Sequence, residues 1–126
     1  MTQYLLDTPV LLSFLAGKPD FSTEVHTIFA DTSLKILASS ANIFEVAVKK
    51  ALKRIKIPDD FPDAVRESGF DILPIADTHA WKTLRLPFHH PDPFDRLLIA
   101  QAKCENLTLL TRNPIFERYD VNVQMV

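Results

Sequence analysis

The chain has 126 residues, is 47% hydrophobic and 24% charged, and carries a net charge of −2, which fits one globular domain with a buried core and excludes disordered and fibrous classes. The near-neutral charge also excludes nucleic-acid binding through bulk positive charge, so any such contact needs a local patch. Cys104 is the single cysteine, which rules out an internal disulfide or a multi-cysteine zinc site and reads as a helix-packing residue.

In chain order, residues 3–7 read as a short buried strand. A helix follows with Thr8 as N-cap, Pro9 at its first position and Gly17 just past its end. Residues 21–29 carry Val25, Ile28 and Phe29 at helical spacing, and residues 35–39 read as a second strand. Ser39 to Asn42 offer N-caps for a helix running to about Lys53, with Ile43, Val46, Ala47 and Leu52 forming its apolar side. A further helix ends before Gly69, and an apolar strand spans residues 70–75. Asp77 then caps a helix carrying Trp81 and Leu84, after which the proline-rich residues 86–91 form an ordered loop. Asp92 as N-cap and Pro93 open a helix reaching 102–105, residues 107–111 form a strand, Asn113-Pro114 starts a short helix, and residues 121–126 close as a strand.

Alternating strands and helices with short connections predict an α/β domain with a mostly parallel sheet covered on both faces. The longest apolar runs fall far short of the roughly 20 residues that cross a bilayer. The opening residues show no secretory signal, so no membrane association and a cytoplasmic location are expected.

In such a sheet, ligands bind beyond the carboxyl ends of the strands. Asp7, Glu45, Asp92, Asp95 and the segment Thr111 to Asn113 all fall at that edge. An oxygen-rich set suits Mg2+ or Mn2+, and carboxylates brought close together would need a cation to ionise jointly at neutral pH. Structural roles compete at each position. Asp92 and Asp95 occupy N-cap and N3 positions, where carboxylates stabilise a helix. Glu45 has Asn42 for a capping box or Lys49 for an i,i+4 pair. Asp7 is the hardest to explain structurally, because a carboxylate ending a buried strand is costly unless something compensates it. The run Lys49 to Lys56 holds five of the fourteen basic residues. Lys49, Lys50, Lys53 and Arg54 are therefore the candidates for RNA contact, or else a solvated helix end.

His90-Pro91-Asp92-Pro93-Phe94-Asp95-Arg96-Leu97-Leu98-Ile99-Ala100-Gln101-Ala102 resembles the H-x-D-P-F-D-R-x-L-x-A-Q-A signature of one group of VapC-type PIN-domain toxins. Tyr4 to Thr8, Ser39 through Glu45 to Lys49, Leu86-Pro87 and Leu109 to Thr111 resemble further family segments in order, so the similarity covers the chain as a single domain, 1–126. The resemblance implies a three-layer α/β/α PIN-like fold and a Mg2+- or Mn2+-dependent ribonuclease toxin. It also implies a homodimer inhibited by a cognate VapB-like antitoxin. Asp7, Glu45 and Asp95 then become the catalytic and metal-holding acids, with Thr8, Asp92, Arg96, Thr111 and Asn113 in support. Arg96 is assigned either to an acid or RNA phosphate or to a structural salt bridge, and His90 to fixing the loop rather than acting as a general base. Asn113 stands where the family often has a fourth acid, Pro9 where a histidine is common, and Asn42 where a serine is common. The first departure raises the alternative of a catalytically weak module that binds antitoxin or RNA without efficient cleavage. A haloacid-dehalogenase-type phosphatase ranks far below, because Pro9 replaces its second aspartate.

Overall fold

The computed structural model describes residues 2–17 and 20–126. Its centre is a parallel sheet of β1 (Gln3–Leu6), β2 (Lys35–Ser39), β3 (Asp71–Leu73), β4 (Thr108–Thr111) and β5 (Val123–Met125), in the order β3-β2-β1-β4-β5. The helices are α1 (Thr8–Leu15), α2 (Thr23–Ala30), α3 (Ser40–Ala51), α4 (Phe61–Glu67), α5 (Asp77–Lys82) and α6 (Pro93–Glu105), with 3-10 turns at Thr83–Arg85 and Pro114–Arg118.

Side chains alternate across the sheet, so each strand feeds two cores. Leu5, Leu37 and Leu109 lie on one face with Leu98, Ile99 and Ala102 of α6. Leu6, Ile36, Ala38 and Leu110 lie on the other with Val10, Leu11, Val25, Val46, Phe61 and Val65 from α1 to α4. This is the three-layer α/β/α arrangement expected from the sequence. Among the described residues no helix is long and apolar enough to cross a membrane.

Several local expectations are corrected. Asp7, not Thr8, is the N-cap of α1, its side chain accepting from the Val10 amide. Ala76, not Asp77, occupies the N-cap of α5; there the His79 ring accepts from the Ala76 amide at 3.0 Å, doing the capping. Helix α3 ends at Ala51, and its buried positions are Ala41, Asn42, Glu45 and Val46. Ala47 and Leu52, assigned to its apolar side, are exposed. Cys104 is also exposed, because it lies past the buried 98–102 stretch of α6.

Arg96 is nearly fully buried and, among the described residues, pairs with no acid. Its guanidinium donates to the carbonyls of Thr83 (2.8 Å), Pro87 (3.0 Å), Leu86 (3.3 Å) and His90 (3.4 Å) and to the Tyr119 hydroxyl (3.4 Å). It also lies 4.5 Å from the centroid of the Phe88 ring. The proline-rich loop is thus wrapped around one planar cation, which satisfies the Leu86, Pro87 and His90 carbonyls that regular structure leaves unpaired. Arg96→Met should destabilise the domain by about 3 kcal/mol or more, and Arg96→Lys should recover little, because an ammonium cannot span so many acceptors. Urea unfolding measures both; a midpoint unchanged in Arg96→Met would refute this role.

Candidate metal centre

The chain order reverses direction across β1, with β2 on one side and β4 on the other, and crevices at such switch points are where open α/β sheets bind ligands. Asp7 stands at the end of β1 and Thr111 at the end of β4. The Thr111 hydroxyl donates to Asp7 Oδ2 at 2.5 Å, and the Val10 amide donates to Oδ1 at 2.9 Å. The Thr111 oxygen in turn accepts from the Asn113 amide at 3.0 Å, which directs its proton toward Asp7.

Glu45 enters from α3. Ser39 caps this helix, and the Asn42 side chain reaches back to accept from the Ser39 amide at 2.7 Å. The capping box therefore belongs to Ser39 and Asn42, leaving Glu45 free for the rim. The Asn42 amide donates to Thr8 Oγ1 at 3.0 Å, and the Thr8 hydroxyl donates to Glu45 Oε1 at 2.8 Å. Lys49 donates to Glu45 Oε2 at 2.5 Å. Thr8, Asn42 and Glu45 are all buried.

Asp92 and Asp95 come from the start of α6. Asp92 Oδ1 accepts from the amides of Phe94 (2.9 Å) and Asp95 (3.0 Å), the capping role. Asp95 Oδ2 lies 2.7 Å from His90 Nε2. The His90 backbone amide donates to the Tyr119 hydroxyl at 2.9 Å, which anchors the ring's loop.

Burial is the largest influence on Asp7 and pushes its carboxyl up to about 6; its two hydrogen bonds oppose this, and the charges of Asp95 and Glu45 add to it. Asp95 is also raised, chiefly by burial and further by Asp92 and Glu45, against the pull of His90. Asp7, Glu45 and Asp95 thus lie within one another's fields. Among the described residues, the group of three metal-type side chains with ligand atoms mutually within 4.8 Å is His90, Asp92 and Asp95. Asp7, Glu45 and Asp95 do not form so tight a set. Each is held by donors of its own.

The remaining candidates divide. Thr8 and Thr111 touch the acids directly. Asn113 is exposed and its side-chain Oδ1 accepts from the Ile115 amide at 3.1 Å, a cap on the following 3-10 turn. Lys50 bonds the Ile57 carbonyl and pairs with Asp59 at 2.6 Å. Lys53 and Arg54 are exposed. Tyr119 carries no motif signal in the sequence, and Asn42 shows there only as a cap or a departure from the family pattern.

Residues 4–122 match the family model described as PIN domain. The chain belongs to the PIN domain family. Similar solved structures include VapBC2 from Rickettsia felis bound to a DNA fragment from their promoter, with 18% identity, a TM-score of 0.74 and 99% of each chain covered. DNA-bound VapBC from Salmonella typhimurium is 20% identical with a TM-score of 0.69, covering 99% of this chain and 98% of that one. VapBC-5 of Mycobacterium tuberculosis, a member of the VapBC family of toxin-antitoxin systems, is 16% identical with a TM-score of 0.60, covering 100% and 98%. At these identities the likeness is one of fold. No curated protein sequence matches.

PIN domains are nucleases, and an all-carboxylate rim with one imidazole at its edge suits a hard divalent cation. The donor set therefore fits the divalent cation that the family implies. The raised Asp7 gives a test that needs no substrate. With Asp7 titrating at about 6 when folded and near 3.9 when unfolded, the native state holds the extra proton between those values. Its contribution to stability is complete below pH ~4 and lost as pH rises through ~6, a span on the order of 3 kcal/mol. In EDTA, Asp7→Asn should therefore be more stable than wild type at pH 7.5, with the difference vanishing toward pH 4. Urea unfolding across this range measures it, and parallel pH profiles for the two proteins would contradict the burial of this charge.

Proposed function

We propose that this PIN domain is the toxin of a type II toxin-antitoxin pair and cleaves RNA phosphodiester bonds with Mg2+ or Mn2+ held by Asp7, Glu45 and Asp95. The observation that carries this reading is Asp7: a buried acid at the sheet's switch point, raised by burial and by the charges of the other two acids. Asp7 also caps α1, but burying it among acids that repel it costs a fold more than one cap returns unless a cation is to be bound. When bound, such a cation supplies an activated water and a positive charge beside the phosphate. The protein's own part is positional. Thr111 and Val10 fix the Asp7 carboxylate, Thr8 fixes one Glu45 oxygen, His90 fixes one Asp95 oxygen, and Asp92 holds the first turn of α6 that carries Asp95.

For RNA contact, Lys53, Arg54 and Lys56 are the exposed cations of the basic run. They begin eight residues beyond Glu45, just past the end of α3 at Ala51, about 12 Å along the axis at a helical rise, a distance that suits phosphates flanking the cleaved bond. A VapB-like antitoxin is the proposed protein partner, supported by the VapBC assemblies that share the fold. Self-association as a homodimer is supported by the exposed Trp81, Leu84 and Phe88, since apolar surface of this kind favours burial against another chain.

Cleavage of structured RNA with Mg2+ or Mn2+ is the direct test. Asp7→Asn and Asp95→Asn should each lower the rate by ~100-fold or more, beyond the loss usual for groups that only support a metal's ligands. Lys53→Ala with Arg54→Ala should weaken RNA binding and flatten its salt dependence while leaving single-turnover cleavage at saturation near wild type. Equal cleavage by wild type and both aspartate variants would remove the proposal. A silent wild type that gains activity with Asn113→Asp would instead favour the weakly catalytic module.

A further inference from the structure

The two oxygens of Glu45 are held by donors of opposite kinds. Oε1 accepts from the Thr8 hydroxyl, which is set by the Asn42 amide, which is set by the Ser39 backbone. All of these groups are buried, so this oxygen has a fixed seat. Oε2 accepts from the Lys49 ammonium at 2.5 Å. The Glu45 side chain is 6% exposed, but that of Lys49 is 40% exposed, on a flexible four-carbon stem that reaches solvent with little rearrangement. One oxygen is thus pinned by the fold and the other is covered by a movable cation, beside two further acids whose charges repel it.

We propose that Lys49 is the built-in counter-ion of this rim, neutralising Glu45 in the metal-free protein and turning out to solvent when a divalent cation takes Oε2. This rests on the metal-dependent reading above and adds a competition to it. Thr8 keeps the carboxylate aimed in both states, so exchanging one cation for another needs only the lysine to move. Lys49 then belongs to the metal site's regulation and not to the phosphate-binding run in which the sequence places it. The domain can fold with its acids partly neutralised before metal arrives, and metal affinity is lower than the carboxylates alone would give.

The experiment is Mn2+ binding by calorimetry without RNA, together with thermal unfolding in EDTA. Lys49→Met keeps most of the stem and removes the charge. It should bind Mn2+ about three- to fivefold more tightly than wild type, the range expected for releasing a partly exposed ion pair, and should unfold at a lower temperature without metal. Lys49→Arg, which keeps the charge, should stay within about twofold of wild type. Equal or weaker Mn2+ binding by Lys49→Met, with wild type binding normally, overturns the role of Lys49 and leaves the metal site standing. Wild type that binds no Mn2+ overturns both. Independently of any substitution, the side-chain NMR signals of Lys49 in the wild-type protein should move toward those of a free lysine as Mg2+ is added; signals that stay fixed while Mg2+ binds also overturn the proposal.

Discussion

Negative charge buried at the carboxyl edge of a parallel sheet is the constraint to which the rest of this domain answers. Asp7 has two good hydrogen-bond donors, the Val10 amide and the Thr111 hydroxyl, and both favour its ionised form. Burial still outweighs them, with Asp95 and Glu45 adding to it, so the carboxyl sits at about 6. Neutral donors can orient such a group but cannot replace the solvation it has lost. The other two acids have a basic neighbour each, Lys49 on Glu45 and His90 on Asp95.

The architecture brings further positive potential to the same place. Helices α1, α3 and α6 all begin at this edge, capped by Asp7, Ser39 and Asp92, and the positive ends of their dipoles therefore face the acids. Two of the three caps are themselves rim carboxylates. Capping and cation binding are thus compatible tasks for one residue. Asp92 Oδ1 is committed to two amides, yet the same side chain lies close enough to His90 and Asp95 to share an ion with them.

That overlap explains which parts were legible in the sequence. Strand β2 and the start of α6 appear where a short apolar run, an N-cap and a proline place them, because their signals are local. The N-cap of α1 is Asp7, one residue before the Thr8 that the sequence predicts. Asp7 and Thr8 both have capping chemistry, and the choice is made by Glu45, 37 residues away, which takes the Thr8 hydroxyl for itself. Helix α3 was misjudged for a related reason. Its buried face carries Asn42 and Glu45, so an apolar pattern selected Ala47 and Leu52, which face solvent. Local rules fail where polar residues are buried for a purpose other than packing. Tyr119 and the carbonyl shell of Arg96 were illegible for a simpler reason, since their contacts join segments with no shared spacing.

The basic run shows how a charge pattern divides once a backbone is given to it. Lys49 and Lys50 are adjacent in sequence, but a helix turns about 100° per residue, so the first reaches Glu45 and the second reaches Asp59 and the Ile57 carbonyl. By tying down the segment after α3, Lys50 leaves Lys53, Arg54 and Lys56 projecting into solvent. A run that reads as a single patch therefore contains an acid's counter-ion, a loop tether and three exposed cations. Only the last group has its charge available to a polyanion, so the positive footprint on the surface is smaller than the sequence suggests and is displaced from the acids.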